Sequence, residues 1–287
     1  MTPRTALGAL HIGALFFGLA GVFGKLANTS AVVIVMGRAA FAVLALAAFA
    51  RLTRRGWQPL RRGDWGRLLA AGVLLTGHWV TFFIAVKVAG VAVATLGFAS
   101  FPAFTVLLEG LVFRERIHLR EVMLVLLVSV GLILVTPAFD LASQATTGLL
   151  WAMLSGLTFA VLSLVNRASG DRVPPVQAAL CQNAVVAVCL APLAVPQLAT
   201  LGAMDWLWIG LLGVFCTGLA HSLFVASLAV IKARTAAVVF ALEPVYGIAF
   251  AWVFFSETPT ARMLAGGVLI FAAIVLSSRA PNSKGPN

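Results

Sequence analysis

The residues able to do chemistry are few, and they stand in unusual company. Lys25, Arg38, His78, Lys87, Glu109, His221 and Glu243 all lie within or at the ends of long apolar runs. A charge inside such a run costs roughly 2.5–3.5 kcal/mol on membrane-insertion scales and normally faces the interior of a helix bundle. Glu243 is the sharpest case. It is the single charge in "AAVVFALEPVYGIAFAWVFF" and directly precedes Pro244. Three roles are open to it: a brace for the bend beside Pro244, a ligand for a substrate ammonium, or a proton carrier. Arg38 approaches the same depth from the opposite face, so the two charges could pair directly or through water. His78, beside Trp79 in "LLTGHWVTFF", and His221, in "TGLAHSLFV", read either as satisfied structural residues or as cavity residues. Two histidines from different segments, with no Cys or acid at ligand spacing, do not make a metal site. Lys25 and Lys87 stand near run ends and can snorkel; Glu109, five residues before Arg114, can reach the interface.

Aromatic side chains supply the remaining material for a binding site. Trp79, Phe82, Phe83, Phe98, Phe101, Tyr246 and Trp252 concentrate in three runs, where packing or lipid contact competes with a cavity role. Aromatic walls would favour apolar or aromatic solutes and could hold a cation against a ring face. The candidate substrate cavity is therefore His78, Trp79, Phe83, Phe98, Phe101, His221, Glu243 and Tyr246, with Arg38 and Glu243 as buried or coupling charges. Trp206 and Trp208 read as interfacial belt residues.

The elements that must position these groups follow from composition. The 287 residues are 61% hydrophobic and 10% charged, with mean hydropathy +1.04. Soluble domains are about a quarter charged, so the solvent for this chain is a bilayer. A spanning helix needs about 20 apolar residues. The predicted spans are 6–26, 31–51, 66–87, 89–113, 121–139, 147–166, 174–195, 206–230, 235–255 and 262–279. They leave no room for a soluble catalytic domain. The first reads as a retained span, not a signal peptide. Cys181, Cys189 and Cys216 all lie inside predicted spans and read as small apolar packing residues.

The net charge of +11 is distributed in a way that argues for a membrane and against nucleic acid. Arg51, Arg54, Arg55, Arg61 and Arg62, then Arg114, Arg116 and Arg120, Arg167 and Arg172, Lys232 and Arg234, and finally Arg279 and Lys284 all fall on one side of a ten-span topology. The other side holds little beyond Lys87 and Arg262, near span ends. This asymmetry puts both termini in the cytoplasm. Segment 52–67, with Trp57 and Trp65 among arginines, reads as an interfacial anchor on anionic lipid.

The chain is also written twice. Residues 94–117 lie over 236–259 with Ala94 on Ala236, Phe98 on Phe240, Pro102 on Pro244, Phe113 on Phe255 and Glu115 on Glu257; upstream, Ala85 meets Ser227 and Trp79 meets His221. Five spans per copy is an odd number, so the copies must be inverted, with the interface of the halves near mid-bilayer. The repeats are read as 1–139 and 140–287. Pro102 and Pro244 are then matched helix bends, each opening a backbone hydrogen bond. The pattern Ala85…Pro102…Glu115 and Ser227…Pro244…Glu257, with "LEPV" at 242–245 and Arg38, resembles the EamA family of the drug/metabolite transporter superfamily, and within it the YddG-type amino-acid exporters. Ser227 departs from the usual Ala, and Phe101 stands where an acid would match Glu243.

The fold class expected is thus all-α integral membrane: ten transmembrane helices in two inverted five-helix repeats. No D-x-x-D pair and no H-E-x-x-H motif is present among nine acidic residues in all, so nothing points to an enzyme, a cofactor or a metal. No signalling domain points to a receptor; a channel could share the duplicated fold. The resemblance implies export of amino acids, aromatic or neutral, and related amphipathic metabolites by alternating access, with a multidrug or quaternary-ammonium exporter as the alternative. The expected partners are a small-molecule substrate and membrane lipid, with one chain sufficing as a functional monomer. An excess of Arg over Lys and abundant Ala suit a GC-rich bacterium, and hence a bacterial inner membrane.

Overall fold

The computed structural model describes residues 2–53, 57–113, 119–135, 143–169, 173–220, 222–223, 227, 239 and 242–278. Helix α1, Pro3–Leu26, starts on a capping box between Thr2 and Thr5, which satisfies amide groups that a helix start leaves bare. Helix α2, Ala31–Leu52, is capped by the Ser30 hydroxyl. Then come α3 (Arg62–Phe98), α4 (Phe101–Phe113), α5 (Leu119–Val135), α6 (Gln144–Ser169) and α7 (Pro175–Ala194). A 3-10 turn at Val195–Thr200 leads to α8 (Ala203–Gly213), which runs on as a π-helical turn, Val214–Leu219. Helices α9 (Glu243–Phe255) and α10 (Ala261–Ser278) follow. The described residues of the predicted spans lie almost entirely on helix; 136–139, 221, 224–226, 228–238 and 240–241 lie outside the described residues. Five stretches, 4–26, 31–52, 62–98, 144–166 and 176–200, are long and apolar enough to cross a membrane among the described residues.

Helix α3 is a hairpin of two arms. Gly90 interrupts it with φ 83° and ψ 171°, a region open essentially to glycine alone. A straight helix would hold residues 78 and 98 about 30 Å apart, yet the rings of His78 and Phe98 are 5.0 Å apart, centroid to centroid. The chain therefore doubles back at Gly90, which is where the sequence separates its third and fourth spans.

The second proline-bearing span differs from expectation in detail. A continuous helix over 89–113, bent at Pro102, is expected; instead the helix stops at Phe98, and Pro102 occupies the second position of α4. Pro244 holds the same place in α9. A helix start is where a missing N–H costs nothing, so the prolines begin helices here and do not bend them. The lead-in is the same in both places. Ser100 N–H bonds to Gly97 O at 3.2 Å and Phe104 N–H to Ser100 O at 3.2 Å; at the matching positions, Leu242 bonds to Val239 at 3.1 Å and Tyr246 to Leu242 at 2.9 Å.

Small residues let the helices approach closely, as membrane packing favours. Along α6, Gly148 meets Ala89, Ala152 meets Gly97, and Gly156 lies against Ser100 and Phe98. This seats α6 on the break between α3 and α4. Leu10 and Ala14 of α1 cluster with Val239 and Tyr246, which seats α1 on the corresponding second break. The Ser227 hydroxyl lies 3.0 Å from the Ala6 carbonyl, so the departure from alanine there supplies a bond to α1.

The two ends of the bundle carry different charge. The ends of α1, of the first arm of α3 and of α9 meet at one end, where Lys25 pairs with Glu257 and Lys87 bonds to the Ala27 carbonyl. The same Glu257 carboxylate lies 3.4 Å from the amide of Ala92, just past the Gly90 reversal. At the opposite, arginine-rich end, Gln58 and Gln177 exchange two hydrogen bonds, joining the α2–α3 connection to the start of α7.

Candidate functional site

Helices α2, α3, α6, α8 and α9 bring the candidate groups to the middle of the bundle. Arg38 is 3% exposed, and its surroundings are shaped to take a flat cation. Its guanidinium carbon lies 3.9 Å from the Trp79 ring centroid and 5.4 Å from that of Phe83. Stacking a desolvated guanidinium on tryptophan is worth about 2 kcal/mol. Along one edge, Nε and Nη2 donate to Thr217 Oγ1 at 3.1 and 2.9 Å. The π-helical turn sets that acceptor: Thr217 Oγ1 donates its own proton to Leu212 O, five residues back, at 3.0 Å, so its lone pairs face Arg38. Such bulges often mark functional positions. Close packing fixes the backbone beneath. A Cβ on Gly213 would fall 2.6 Å from the Arg38 carbonyl, and one on Gly37 2.5 Å from Ile209.

Glu243 opens α9 and is half-buried. Arg38 lies within electrostatic reach of it, but no ion pair or hydrogen bond joins the two. Lys25 forms an ion pair with Glu257, and among the described residues Asn183 Oδ1 is a buried side-chain polar atom without a partner. The Glu243 carboxylate accepts no hydrogen bond from a described residue, and Nη1 of Arg38 donates none to one.

His78 is held by the opposite wall. Its Nδ1 lies 2.7 Å from Ser155 Oγ and 3.1 Å from Ser155 O, while Ser155 Oγ donates to His78 O at 2.9 Å. A carbonyl can only accept, and the serine proton is already used, so Nδ1 carries the proton. Nε2 is then the acceptor. Arg38 lies within electrostatic reach of this imidazole as well. Around it Phe98, Phe101 and Phe159 make a compact aromatic group, with centroid separations of 5.2–5.4 Å, and Phe82 meets Phe98 edge-on at 6.0 Å.

The sequence candidates divide accordingly. The structure brings together Arg38 with Trp79 and Phe83, and His78 with Phe98 and Phe101. Phe83 is fully buried against Gly24 of α1 and supports the site from beneath. Tyr246 follows Glu243 on α9 and packs on α1. His221 lies outside the described residues. Trp252 is 58% exposed on the outside of the bundle and takes no part. Sequence reasoning missed Thr217, Ser155, Phe159 and Gly18. Only the small-residue spacing of α1 and α6, Gly18-x-x-Gly21-x-x-Gly24 and Gly148-x-x-x-Ala152-x-x-x-Gly156, offered a signal for such contacts. Among the described residues no three His, Cys, Asp or Glu side chains gather at metal-binding distance.

A profile of the EamA-like transporter family matches residues 4–136 and again 146–279. An uncharacterised transporter of Bacillus subtilis, YxxF, is 24% identical over 281 residues, covering 95% of this chain and 89% of its own. The pseudopaline exporter CntI of Pseudomonas aeruginosa is 28% identical over 233 residues, covering 79% of this chain and 80% of its own. One crystal structure superposes with a TM-score of 0.66 at 20% identity, over 96% of both chains, a likeness of fold.

Proposed function

The chain belongs to the EamA-like transporter family, and we propose that it exports amino acids and related small amphipathic metabolites across a bacterial inner membrane by alternating access. That it is a multi-pass membrane transporter of a small molecule follows from the family; the substrate, the direction and the mechanism are our reading. In this reading 1–139 and 140–287 are inverted repeats of five spans, both termini are cytoplasmic, and one chain is the working unit.

One observation carries the mechanism. The helix break before Pro102 and the break before Pro244 have matching hydrogen bonds, and each is seated on the first helix of the other half. A hinge repeated in this way lets one half rock against the other while the groups between them stay in place. Those groups, Arg38, Trp79, His78 and Glu243, form the substrate site. The outward direction is supported by the Pseudomonas relative, which is named as an exporter.

The test is flux from proteoliposomes loaded with a panel of labelled amino acids or a quaternary ammonium drug, with and without a pH gradient. Saturable amino-acid flux is the expected result. A gradient that drives it uphill in the wild type but not in Glu243→Gln would make Glu243 the proton carrier. Drug flux without amino-acid flux would overturn the substrate assignment.

A further inference from the structure

We infer that Arg38 and Glu243 are the two ends of a zwitterion receptor: Arg38 takes the substrate carboxylate, Glu243 takes its ammonium, and the aromatic group around Phe98 takes its side chain. The inference rests on the amino-acid reading above and deepens it.

A buried guanidinium usually has a carboxylate against it, because an unpaired buried charge is expensive. Among the described residues Arg38 has none in contact. Its stabilisation comes from a neutral hydroxyl on one edge and from ring faces. Thr217 occupies Nε and one N–H of Nη2, leaving Nη1 and the second Nη2 proton together at the far end of the plane. That end-on fork is one of the geometries in which guanidinium grips a carboxylate through two parallel hydrogen bonds. Trp79 prevents the plane from tilting away.

The second half of the receptor is the complementary orphan. Glu243 feels the Arg38 charge but is not in contact with it, and neither carboxylate oxygen has a hydrogen-bond partner among the described residues. If the two were an internal brace, direct contact would be the lower-energy arrangement, and nothing between them would have to leave before a solute entered. Held apart, they present a positive and a negative pole inside the bundle, neither taken up by the other. An α-amino acid has the same two poles on one carbon, in the opposite order. His78 adds an acceptor, Nε2, within the field of Arg38, with its protonated Nδ1 fixed to Ser155. A hydrophobic substrate side chain then has Phe98, Phe101 and Phe159 to meet. This arrangement rejects plain cations, which Arg38 would repel, and plain anions, which Glu243 would repel.

The probes are phenylalanine, phenethylamine (which lacks the carboxylate) and 3-phenylpropionate (which lacks the ammonium). Each is measured as a competitor of labelled phenylalanine flux in proteoliposomes. In the wild type each analogue should compete at least about tenfold more weakly than phenylalanine, the loss expected when one charged hydrogen-bonded group is removed. Glu243→Gln should narrow the gap for phenylpropionate but leave that for phenethylamine, and Arg38→Gln should do the reverse. Equal competition by all three in the wild type would overturn the receptor while leaving amino-acid transport standing. That comparison needs no variant, so misfolding of Arg38→Gln cannot rescue the idea. Wild type that carries no amino acid at all would overturn the substrate reading and the receptor with it.

Discussion

Gly18 is the residue on which the geometry makes its most demanding claim. It lies on α1 opposite the first turn of α9, and a Cβ built there would fall 2.6 Å from Tyr246 Cβ, 3.0 Å from Gly247 N and 3.2 Å from Glu243 O. Carbon atoms rest at about 3.5–4.0 Å, so a single methyl group demands that the two helices separate by roughly 1 Å at this point. None of the three obstacles can rotate aside, since two are backbone and the third is the Cβ carbon fixed to it. On the far side α9 has no slack either: a Cβ on Gly247 would lie 3.1 Å from Thr95 of the returning arm of α3. Overpacking of this kind costs about 1–3 kcal/mol, and the displacement falls on the turn that carries Glu243. Gly18→Ala should therefore lower the thermal midpoint of the detergent-solubilised protein and weaken transport. Gly8→Ala, on the same helix with nothing within 4 Å of its new methyl, is the control and should be neutral or slightly stabilising, as alanine is the better helix former. If both variants melt and transport alike, the tight α1–α9 contact does not exist, and the placement of Glu243 argued from it fails.

Three further perturbations test separate parts of the structure. Gly90→Ala must place a side chain at φ 83° and within 3.0 Å of the Glu257 carboxylate; a loss of about 1–3 kcal/mol is expected, read as a lower melting midpoint than for Gly63→Ala, where the added methyl is unopposed. Ser155→Ala removes the hydroxyl that bonds His78 O and lies nearest Nδ1 but keeps the Ser155 carbonyl as acceptor, so it should destabilise by about 0.5–1.5 kcal/mol, the net worth of a hydrogen bond; an unchanged melt would mean that the α3–α6 link is not made through this pair. Thr217→Val keeps the volume but removes the acceptor for two Arg38 N–H groups. Freed from its edge, the guanidinium loses its fixed plane, so the apparent substrate affinity should fall about tenfold or more, while Ser222→Ala, whose hydroxyl among the described residues bonds to Gly218 O four residues back, should leave it unchanged.

Much of the fold was legible in the sequence because a bilayer leaves few ways to satisfy a backbone. Runs of about 20 apolar residues must be helices, and the described residues of the predicted spans lie almost entirely on helix. The gap between spans three and four was legible as well, although the glycine that makes the reversal was not singled out. The duplicated proline pattern was legible too, but its physical meaning was not. A proline written into an apolar run looks like a kink, and whether the helix bends through it or restarts at it depends on the residues before it. Here Gly97 and Ser100 sit against Ala152 and Gly156 of α6, and that contact, remote in sequence, favours a 3-10 turn and a fresh start.

The site was less legible, and the reason is chemical. Charges and aromatics announce themselves, so Arg38, His78, Trp79 and Glu243 could be named from composition alone. Their partners could not, because Thr217 and Ser155 are ordinary residues in apolar helices until the fold supplies something for them to hold. Thr217 matters only through a π-helical turn that aims its proton backwards to Leu212 and its lone pairs at Arg38, a register that no spacing rule signals. The consequence reaches function. An arginine held by a carboxylate would be a closed pair, indifferent to a passing solute. An arginine held by a threonine hydroxyl and a tryptophan face keeps an unused fork of N–H groups, with Glu243 out of contact. In the proposed receptor, what admits a substrate is thus the weakness of the native partner, and the residue that sets that weakness is the uncharged one.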